Sequence, residues 1–394
     1  MSHTMPRPAT YVQTATERVH MAKPAAEAIA EEASLLGAKR VFLLVSRSLN
    51  QDTDEIKKIM TALGPRFAGL YEGMPAHGPR GAVLEAAATA RAVGTDLIVS
   101  VGGGSVTDAA KVMTVCLKHN LKTHEDMEPF HMFVNEEGAV INPDFEGPDI
   151  RAICVPTTLS GGEFNTLSGA TDEHIKLKQG YEHRLMAPIA IVLDPAITRH
   201  TPEWLWLSTG VRALDHALET LGSLQSNYFC DSMAENALKL LSEGLQQVKA
   251  DPSDLDGRLK CQIGTWQSMI PVIAGVPMGI SHATGHALGG TFNVPHGYTS
   301  CVMAPFALAF NKTANGARQK RISAALGQPQ EAAHAVTDRL IRGLGMPRSL
   351  GAVGVKEIDL PQLADAIMQD IWARTNPRPI DKAEQVAEFL KTAL

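Results

Sequence analysis

Apolar segments of strand length alternate with helical segments between residues 38 and 194, and this alternation limits the possible folds more than any other feature of the chain. RVFLLV, FAGLYEG and DLIVS predict buried strands, and helical periods near residues 53–63 and 81–93 separate them. Strands that are separated by helices pair in parallel, because a parallel connection needs a crossover. After IAIVLDP only helical periods follow. The sequence therefore predicts an α/β fold, with a Rossmann-like parallel sheet domain over residues 1–195 and an all-helical domain over residues 196–394.

Composition narrows the class of protein. The chain has 394 residues, of which 44% are hydrophobic, and this is enough to fill more than one core. A formal net charge of −6 without a basic run argues against nucleic acid as a partner. No apolar stretch approaches the roughly 20 residues that span a bilayer, and the amino end lacks the apolar core of a secretion signal, so we expect a cytoplasmic protein that does not bind membranes. Five cysteines without CxxC spacing predict reduced core thiols rather than a zinc site or a disulfide framework.

Three histidines lie close together in the segment GISHATGHALGGTFNVPHG, residues 279–297. His282 and His286 are four residues apart, so they share one face of a helix. The Gly289–Gly290 pair is predicted to turn the chain so that His296 comes back to the other two. This arrangement indicates a reaction centre in which a metal ion or an anionic substrate lies between the imidazoles.

A fourth histidine belongs to the segment GVRALDHALE, residues 210–219. His216 lies one turn after Arg212 on an amphipathic helix, so both side chains are candidates for the same centre. One interpretation makes Arg212 a cation of the active site. The other pairs it with Asp215 or Glu219 on its own helix.

These two segments resemble GxDALxHxxE and HAxxHxLGGxxxxPHG, the motifs of the iron-containing (group III) alcohol dehydrogenase family, and the resemblance covers nearly the whole chain. It implies a dehydroquinate synthase-like architecture, dependence on NADH or NADPH, and a homodimer. In that family an Asp and a His of the first motif, with the first and last His of the second, hold a divalent metal. Those positions are Arg212, His216, His282 and His296 here, so the Asp is absent.

The replacement of an acid by Arg212 is predicted to exclude the metal. At an effective dielectric constant near 20, two unit charges about 4 Å apart interact by roughly 4 kcal/mol, and a dication is repelled more strongly. The maleylacetate reductases, one branch of the family, are similar in lacking that Asp. The resemblance to this branch implies metal-free, NAD(P)H-dependent reduction of the activated C=C of maleylacetate, an oxo-enedioate, to 3-oxoadipate in the degradation of aromatic compounds. If a metal is present, the resemblance implies His216, His282 and His296 as its ligands.

A glycine turn marks the predicted cofactor site. VGGGSVTDAAK, residues 101–111, follows the strand DLIVS and opens a helix, so unpaired amides and the positive end of the helix dipole face an anion. Its glycines allow a pyrophosphate to approach the backbone. The resemblance implies a second loop, CVPTTLSGGEFN, whose hydroxyl groups surround the cofactor. The cofactor-binding candidates in these two segments are Gly102, Gly103, Gly104, Ser105, Asp108, Thr157, Thr158 and Ser160.

Ser46 is a further cofactor candidate at the end of RVFLLVSRS. Many members of the family carry an acid there that binds the adenosine ribose. With Ser46 and Arg47 at this place a 2′-phosphate is not repelled, so the choice between NADH and NADPH stays open.

The predicted chemistry needs a cation and an acid. Addition of hydride to the C=C bond places negative charge on an enolate oxygen, which Arg212 and the histidines can stabilise. His286 or His282 is the predicted acid that protonates the adjacent carbon. His77, in the MPAHG loop, faces either the substrate or solvent.

Two other functions are compatible with these residues. The first is a metal-dependent alcohol or 2-hydroxy acid dehydrogenase in which Asp215 supplies the carboxylate, although one residue of helix separates it from His216 by a rotation of about 100°. The second is a catalytically silent ligand-binding or filament-forming relative. Quenching of the tryptophans by cofactor without turnover would favour the second.

Overall fold

The computed structural model describes residues 10–394 and separates them into two compact units. The sheet unit consists of residues 14–202 and 253–262. The helical unit consists of residues 203–252 and 263–394 together with the segment up to Gln13.

Six parallel strands form the main sheet of the sheet unit, in the order β1-β10-β7-β4-β2-β3, and two antiparallel pairs, β5-β6 and β8-β9, lie outside it. The strands are β1 (Arg18–Met21), β2 (Val41–Val45), β3 (Phe67–Glu72), β4 (Leu97–Gly102), β5 (Phe133–Val134), β6 (Val140–Ile141), β7 (Arg151–Pro156), β8 (Leu167–Asp172), β9 (Leu177–Glu182) and β10 (Ala190–Leu193). The parallel sheet confirms the predicted α/β fold.

Helices cover both faces of this sheet, as a buried parallel sheet requires. Strand β2 is buried along its whole length, and its side chains alternate between two cores: Phe42 and Leu44 pack with residues of α4 and α5, whereas Val41 and Leu43 pack with residues of α1 and α3. The helices of this unit are α1 (Ala25–Leu35), α2 (Arg47–Asp52), α3 (Glu55–Leu63), α4 (Arg80–Ala92), α5 (Gly104–Lys118) and α6 (His124–Met127).

Two features of the sheet unit differ from the sequence prediction. The chain begins its sheet with β1, which pairs with β10 and was not predicted, because RVHM is only four residues long and mixes charged with apolar side chains. The strand predicted from Arg40 to Ser48 ends at Val45, since residues from Arg47 onward form α2.

The interval between residues 119 and 150 has little regular structure. It is held to the rest of the sheet unit by Arg80, whose side chain is completely buried. The guanidinium group binds Glu128 of this interval, and it also donates to Asp172 (3.0 Å) and to the hydroxyl of Tyr181 (2.9 Å) in the β8-β9 hairpin.

The helical unit is built almost entirely from helices, which confirms the predicted change of fold along the chain. The longest helix, α11, contains a kink at Asn315, whose backbone is not helical. The remaining helices are α7 (Glu203–Gly222), α8 (Tyr228–Ala250), α9 (Leu255–Ile273), α10 (Ile280–Phe292), α11 (His296–Ala325), α12 (Ala333–Gly343), α13 (Leu360–Gln369), α14 (Ile371–Arg374) and α15 (Ala383–Lys391).

The cysteines are free thiols and all of them are buried, as predicted. Within residues 10–394, no helix combines the length and the apolar character that a membrane crossing requires.

Candidate functional site

The predicted reaction centre lies within the helical unit. Helix α7 presents Arg212, Asp215, His216 and Glu219 at spacings of three and four residues, which places them along neighbouring rows of one helix. Only 8% of Arg212 and 1% of Asp215 is exposed, so both charged groups are removed from water. Buried charges persist only when they are paired or hydrogen-bonded, so the contacts of this cluster show how the charges are tolerated.

Arg212 is connected to Asp215 through a serine of α11. Its Nη1 donates to Oγ of Ser300 (3.1 Å), and that hydroxyl donates to Oδ2 of Asp215 (2.7 Å). Ser281 of α10 donates a second bond of 2.7 Å to the same oxygen. The interpretation of a direct ion pair along α7 is therefore replaced by a relay through Ser300, and Arg212 points toward α10 and α11.

Glu219 links α7 to the start of α10. Its carboxylate accepts hydrogen bonds from the backbone amides of Gly279 and Ser281 (both 2.9 Å), and it lies 2.7 Å from Nδ1 of His282. A carboxylate at the amino end of a helix is stabilised by unpaired amides and by the helix dipole. The sequence assigned Glu219 no role beyond a partner for Arg212, although it is the final residue of the GVRALDHALE segment.

The four histidines comprise two ring pairs, and His286 and His296 both act electrostatically on His216 and His282. The rings of His216 and His282 are buried with centroids 4.8 Å apart, whereas the rings of His286 and His296 are exposed and stacked at 6.0 Å. Nδ1 of His286 lies 2.8 Å from Asp370, a residue that the sequence did not single out.

The turn between the histidines also lies elsewhere than predicted. Helix α10 continues through Gly289 and Gly290 and ends at Phe292, and Asn293 reverses the chain in the left-handed conformation (φ 53°). Asparagine tolerates this conformation because its side chain bonds locally, which makes it an alternative to glycine after a helix.

Electrostatics set the charge state of this cluster. Burial lowers the pKa of His216 and of His282 well below the usual value, and the charge of Arg212 lowers both further. Burial, together with the charge of Glu219, raises the pKa of Asp215 to about 7. Burial also lowers the pKa of Arg212, but a guanidinium remains protonated in proteins. The fixed cation of the site is thus Arg212, and both buried imidazoles are neutral near pH 7.

The residues present do not fit a divalent metal. Nδ1 of His216 and Nε2 of His282 are buried without a hydrogen-bond partner among residues 10–394, so two nitrogen donors are available. However, no three His, Cys, Asp or Glu side chains in the described part of the chain are arranged to hold an ion. Oδ2 of Asp215 is occupied by two serine hydroxyls, whereas its Oδ1 is buried without a hydrogen-bond partner among residues 10–394. The positive potential of Arg212 acts on both imidazoles.

The glycine turn in the sheet unit has the strand-turn-helix form that the sequence predicted. Strand β4 ends at Gly102, and α5 begins at Gly104 after an extended Gly103. A Cβ atom at Gly103 would lie 3.1 Å from Thr158, and one at Gly104 would lie 3.0 Å from Oγ of Ser160. The absence of side chains from the turn lets the loop with Thr158 and Ser160 approach it closely, and the 15-residue helix α5 begins at the turn with the amino end at which a helix has unpaired amides.

The second predicted loop packs against this turn. The amide of Thr157 donates to the carbonyl of Gly102 (2.9 Å), and the hydroxyls of Thr158 and Ser160 are 3.3 Å apart. The loop is followed by the β8-β9 hairpin rather than by the helix of an ordinary strand-to-helix turn.

Lys111 holds this loop in place, a role that the sequence did not indicate. The side chain is completely buried, and Nζ donates to the carbonyls of Gly162 (2.8 Å), Asn165 (3.0 Å) and Leu167 (2.6 Å). All three N–H donors of the ammonium group are used, so Lys111 stabilises the backbone of the loop.

The other cofactor candidates surround the same turn. Oγ of Ser105 accepts a hydrogen bond of 3.1 Å from the amide of His77, whose exposed side chain belongs to the sheet unit and not to the histidine cluster. Asp108 is paired with Lys178 at 2.9 Å. Ser46 follows β2, and its Oγ lies 3.1 Å from Oγ of Ser48.

Comparison with known proteins identifies the family of this chain. Residues 16–195 match the profile of the family described as iron-containing alcohol dehydrogenase, and residues 206–394 match that of the C-terminal part of the Fe-containing alcohol dehydrogenase family. A maleylacetate reductase from Delftia acidovorans is 29% identical over 96% of each chain. A dehydrogenase from Alternaria alternata is 30% identical over 91% of this chain and 100% of its own.

Solved structures agree with the sequence comparison. The crystal structure of a maleylacetate reductase from Agrobacterium tumefaciens superposes with a TM-score of 0.82, at 25% identity over 99% of each chain. The sheet with its glycine turn and the helical unit with its histidine segments are thus found together in one family. The chain is an oxidoreductase that belongs to the iron-containing alcohol dehydrogenase family.

Proposed function

We propose that the protein uses NADH or NADPH to reduce the activated C=C bond of maleylacetate, giving 3-oxoadipate, and that it does so without a metal ion. The observation that carries this proposal is the buried Arg212, which occupies the position of the metal-binding Asp and lies among neutral histidines. The similarity to maleylacetate reductases over nearly the full chain supports the choice of substrate.

Arg212 suits an anionic substrate. Maleylacetate carries two carboxylates, and its reduction passes through an enolate, so a fixed cation in a site shielded from water stabilises both the bound anion and the developing charge. A guanidinium group also binds a carboxylate through two parallel donors, which a simple alcohol does not offer.

The cofactor and the protein divide the reaction between them. The reduced nicotinamide supplies a hydride to one carbon of the double bond, and enzymes of this family use NAD(P)H. The glycine turn with Gly103 and Gly104 is the proposed pyrophosphate site, and Ser46 leaves room for either cofactor.

A histidine delivers the proton to the neighbouring carbon. In His282, the contact of Nδ1 with Glu219 orients the ring and leaves Nε2 without a partner among residues 10–394, but burial lowers the pKa of this imidazole well below its usual value, so near pH 7 the neutral ring must gain a proton before it can act as the acid. In His286, the contact with Asp370 orients the ring in the same manner. The two are alternative acids, and substitution of each by Gln distinguishes them, since the acid loses turnover and the other retains it.

We also propose that the protein is a cytoplasmic homodimer that serves the degradation of aromatic compounds, as the family resemblance implies. The oligomeric state is open to size-exclusion chromatography with light scattering. A monomer at micromolar concentration would contradict this part.

The proposal is tested with the purified protein and two kinds of substrate. We expect oxidation of NADH or NADPH in the presence of maleylacetate and slow reduction of NAD⁺ with primary alcohols. Both reactions are followed by the absorbance of the reduced nicotinamide. Rapid oxidation of a primary alcohol without any maleylacetate activity would overturn the proposal and favour the metal-dependent dehydrogenase.

A further inference from the structure

Helix α10 has no side chain at the point where it meets the guanidinium group of Arg212. A Cβ atom at Gly285 would lie 3.2 Å from Nη1 of Arg212 and 2.9 Å from Oγ1 of Thr299 on α11. Contacts this short are rare for real Cβ atoms, so a neighbour would have to move. Gly285 thus lies between a charged group of α7 and a hydroxyl of α11.

The two neighbours differ in how easily they move. Thr299 is completely buried, and its hydroxyl already donates to the carbonyl of His296 (2.8 Å) within the first turn of α11. A β-branched side chain also has few alternative rotamers. Nη1 of Arg212, in contrast, is at the end of a long flexible side chain. A methyl group at position 285 would displace the guanidinium group, and the still shorter contact with Thr299 would require α10 or α11 to shift as well.

Ser300 of α11 holds the guanidinium group of Arg212 by a hydrogen bond. It accepts a hydrogen bond from Arg212 and donates one to Asp215 (2.7 Å), so the cation and the carboxylate share one buried hydroxyl. A hydrogen bond to a charged group contributes more than one between neutral groups. Without Ser300 this contact to Arg212 is lost and Asp215 loses one of two donors.

We propose that Gly285 and Ser300 are positioning residues for Arg212: the missing side chain on α10 makes room for the guanidinium group, and the hydroxyl on α11 anchors it, so that a carboxylate of the substrate meets a fixed cation. This inference deepens the proposed function and rests on it for the identity of the substrate. Neither residue touches the substrate in this account, because both act through Arg212.

The test is a double-mutant cycle of Gly285→Ala with Arg212→Met. Three quantities are measured for each variant. KM and kcat are determined with maleylacetate, and the dissociation constant of maleate, an unsaturated dicarboxylate that lacks the ketone, is determined by calorimetry. We expect Gly285→Ala alone to raise the KM and the maleate dissociation constant by about tenfold. In the Arg212→Met background the same change should alter them by less than about twofold, because its target is gone.

Gly290→Ala is the matched control. Gly290 lies on the same helix, and a Cβ atom there meets nothing within 4 Å, so this variant should bind maleate like the wild type. Additive effects of Gly285→Ala and Arg212→Met would overturn the inference, since they would show that position 285 acts through Thr299 or general packing.

If Arg212→Met does not fold, two other experiments test the inference. One is a double-mutant cycle of Gly285→Ala with Ser300→Ala, and the other is a crystal structure of Gly285→Ala. An unmoved guanidinium group in that crystal structure would contradict the inference. Failure of the proposed function gives a different result. If the wild type binds maleate and the cycle shows the expected coupling, but maleylacetate is not reduced, only the assigned reaction is refuted. A wild type that does not bind maleate refutes the anion site itself.

Discussion

The glycine turn of the sheet unit and the Arg212 cluster of the helical unit are built in opposite ways. The turn prepares an anion site by leaving side chains out, and its parts, Gly103, Gly104 and the start of α5, are consecutive in the chain. The Arg212 cluster buries charged side chains of α7, among them Arg212 and Asp215, and these depend on hydroxyls of α10 and α11 that are far away in sequence. A site made of backbone amides suits a cofactor shared across a family, whereas one substitution in a side-chain cluster changes the substrate.

Removal of the charge at Arg212 should have the largest effect. We expect Arg212→Met to lower kcat/KM with maleylacetate by about 100-fold to 1,000-fold, or roughly 2.7–4 kcal/mol, as for the loss of a donor that stabilises an oxyanion. Cofactor binding, measured by titration, should not change, because the glycine turn belongs to the other unit. Arg342→Met on α12 is the control, since Arg342 is an exposed residue paired with Asp338. Equal losses in both variants would make Arg212 a purely structural cation.

The loop support offers the next test. Lys111→Met leaves three backbone carbonyls without their donor, each of which costs about 1–3 kcal/mol when buried, while the cost of burying an ammonium group is removed. We expect a net loss of about 2 kcal/mol, seen as a fall in the Tm of roughly 4–8 °C by calorimetry. Lys118→Met near the end of the same helix removes only solvent-exposed ion pairs and should leave the Tm nearly unchanged. A smaller fall for Lys111→Met than for this control would contradict the role of Lys111.

The smallest effect concerns the turn itself. Gly104→Val adds a side chain where a Cβ atom already lies 3.0 Å from Ser160. We expect the cofactor dissociation constant to rise by about tenfold or more, which corresponds to roughly 1.4 kcal/mol, with an unchanged circular dichroism spectrum. Gly343→Val, at a position without neighbours within 4 Å, should bind cofactor like the wild type. An unchanged constant for Gly104→Val would place the pyrophosphate elsewhere.

Most of the fold was predictable because its signal is periodic. Strands such as β2 and β4 are short apolar runs, and the residues after β10 have only helical periods, as in α9 (Leu255–Ile273). The edge strand β1 and the β8-β9 hairpin were missed, since exposed and partly polar strands lack that signal.

The site was predictable where a motif is local. His282 and His286 on one helix, and the glycine turn before α5, follow directly from spacing. The anchoring of Arg212 by Ser300 and the contact of His286 with Asp370 join residues 88 and 84 positions apart, and no single sequence reveals such distances. Roles for all of these side chains stay proposals until they are tested.

The central claim, metal-free reduction at a site centred on Arg212, is tested most directly by measuring metal content and maleylacetate-dependent NADH oxidation on the same chelator-treated sample. The account predicts far less than one equivalent of zinc or iron in the wild type and a rate that the chelator does not change. It also predicts that Arg212→Asp gains affinity for metal and loses most of the reductase activity. Stoichiometric metal in the wild type, lost together with activity on chelation, would contradict the account.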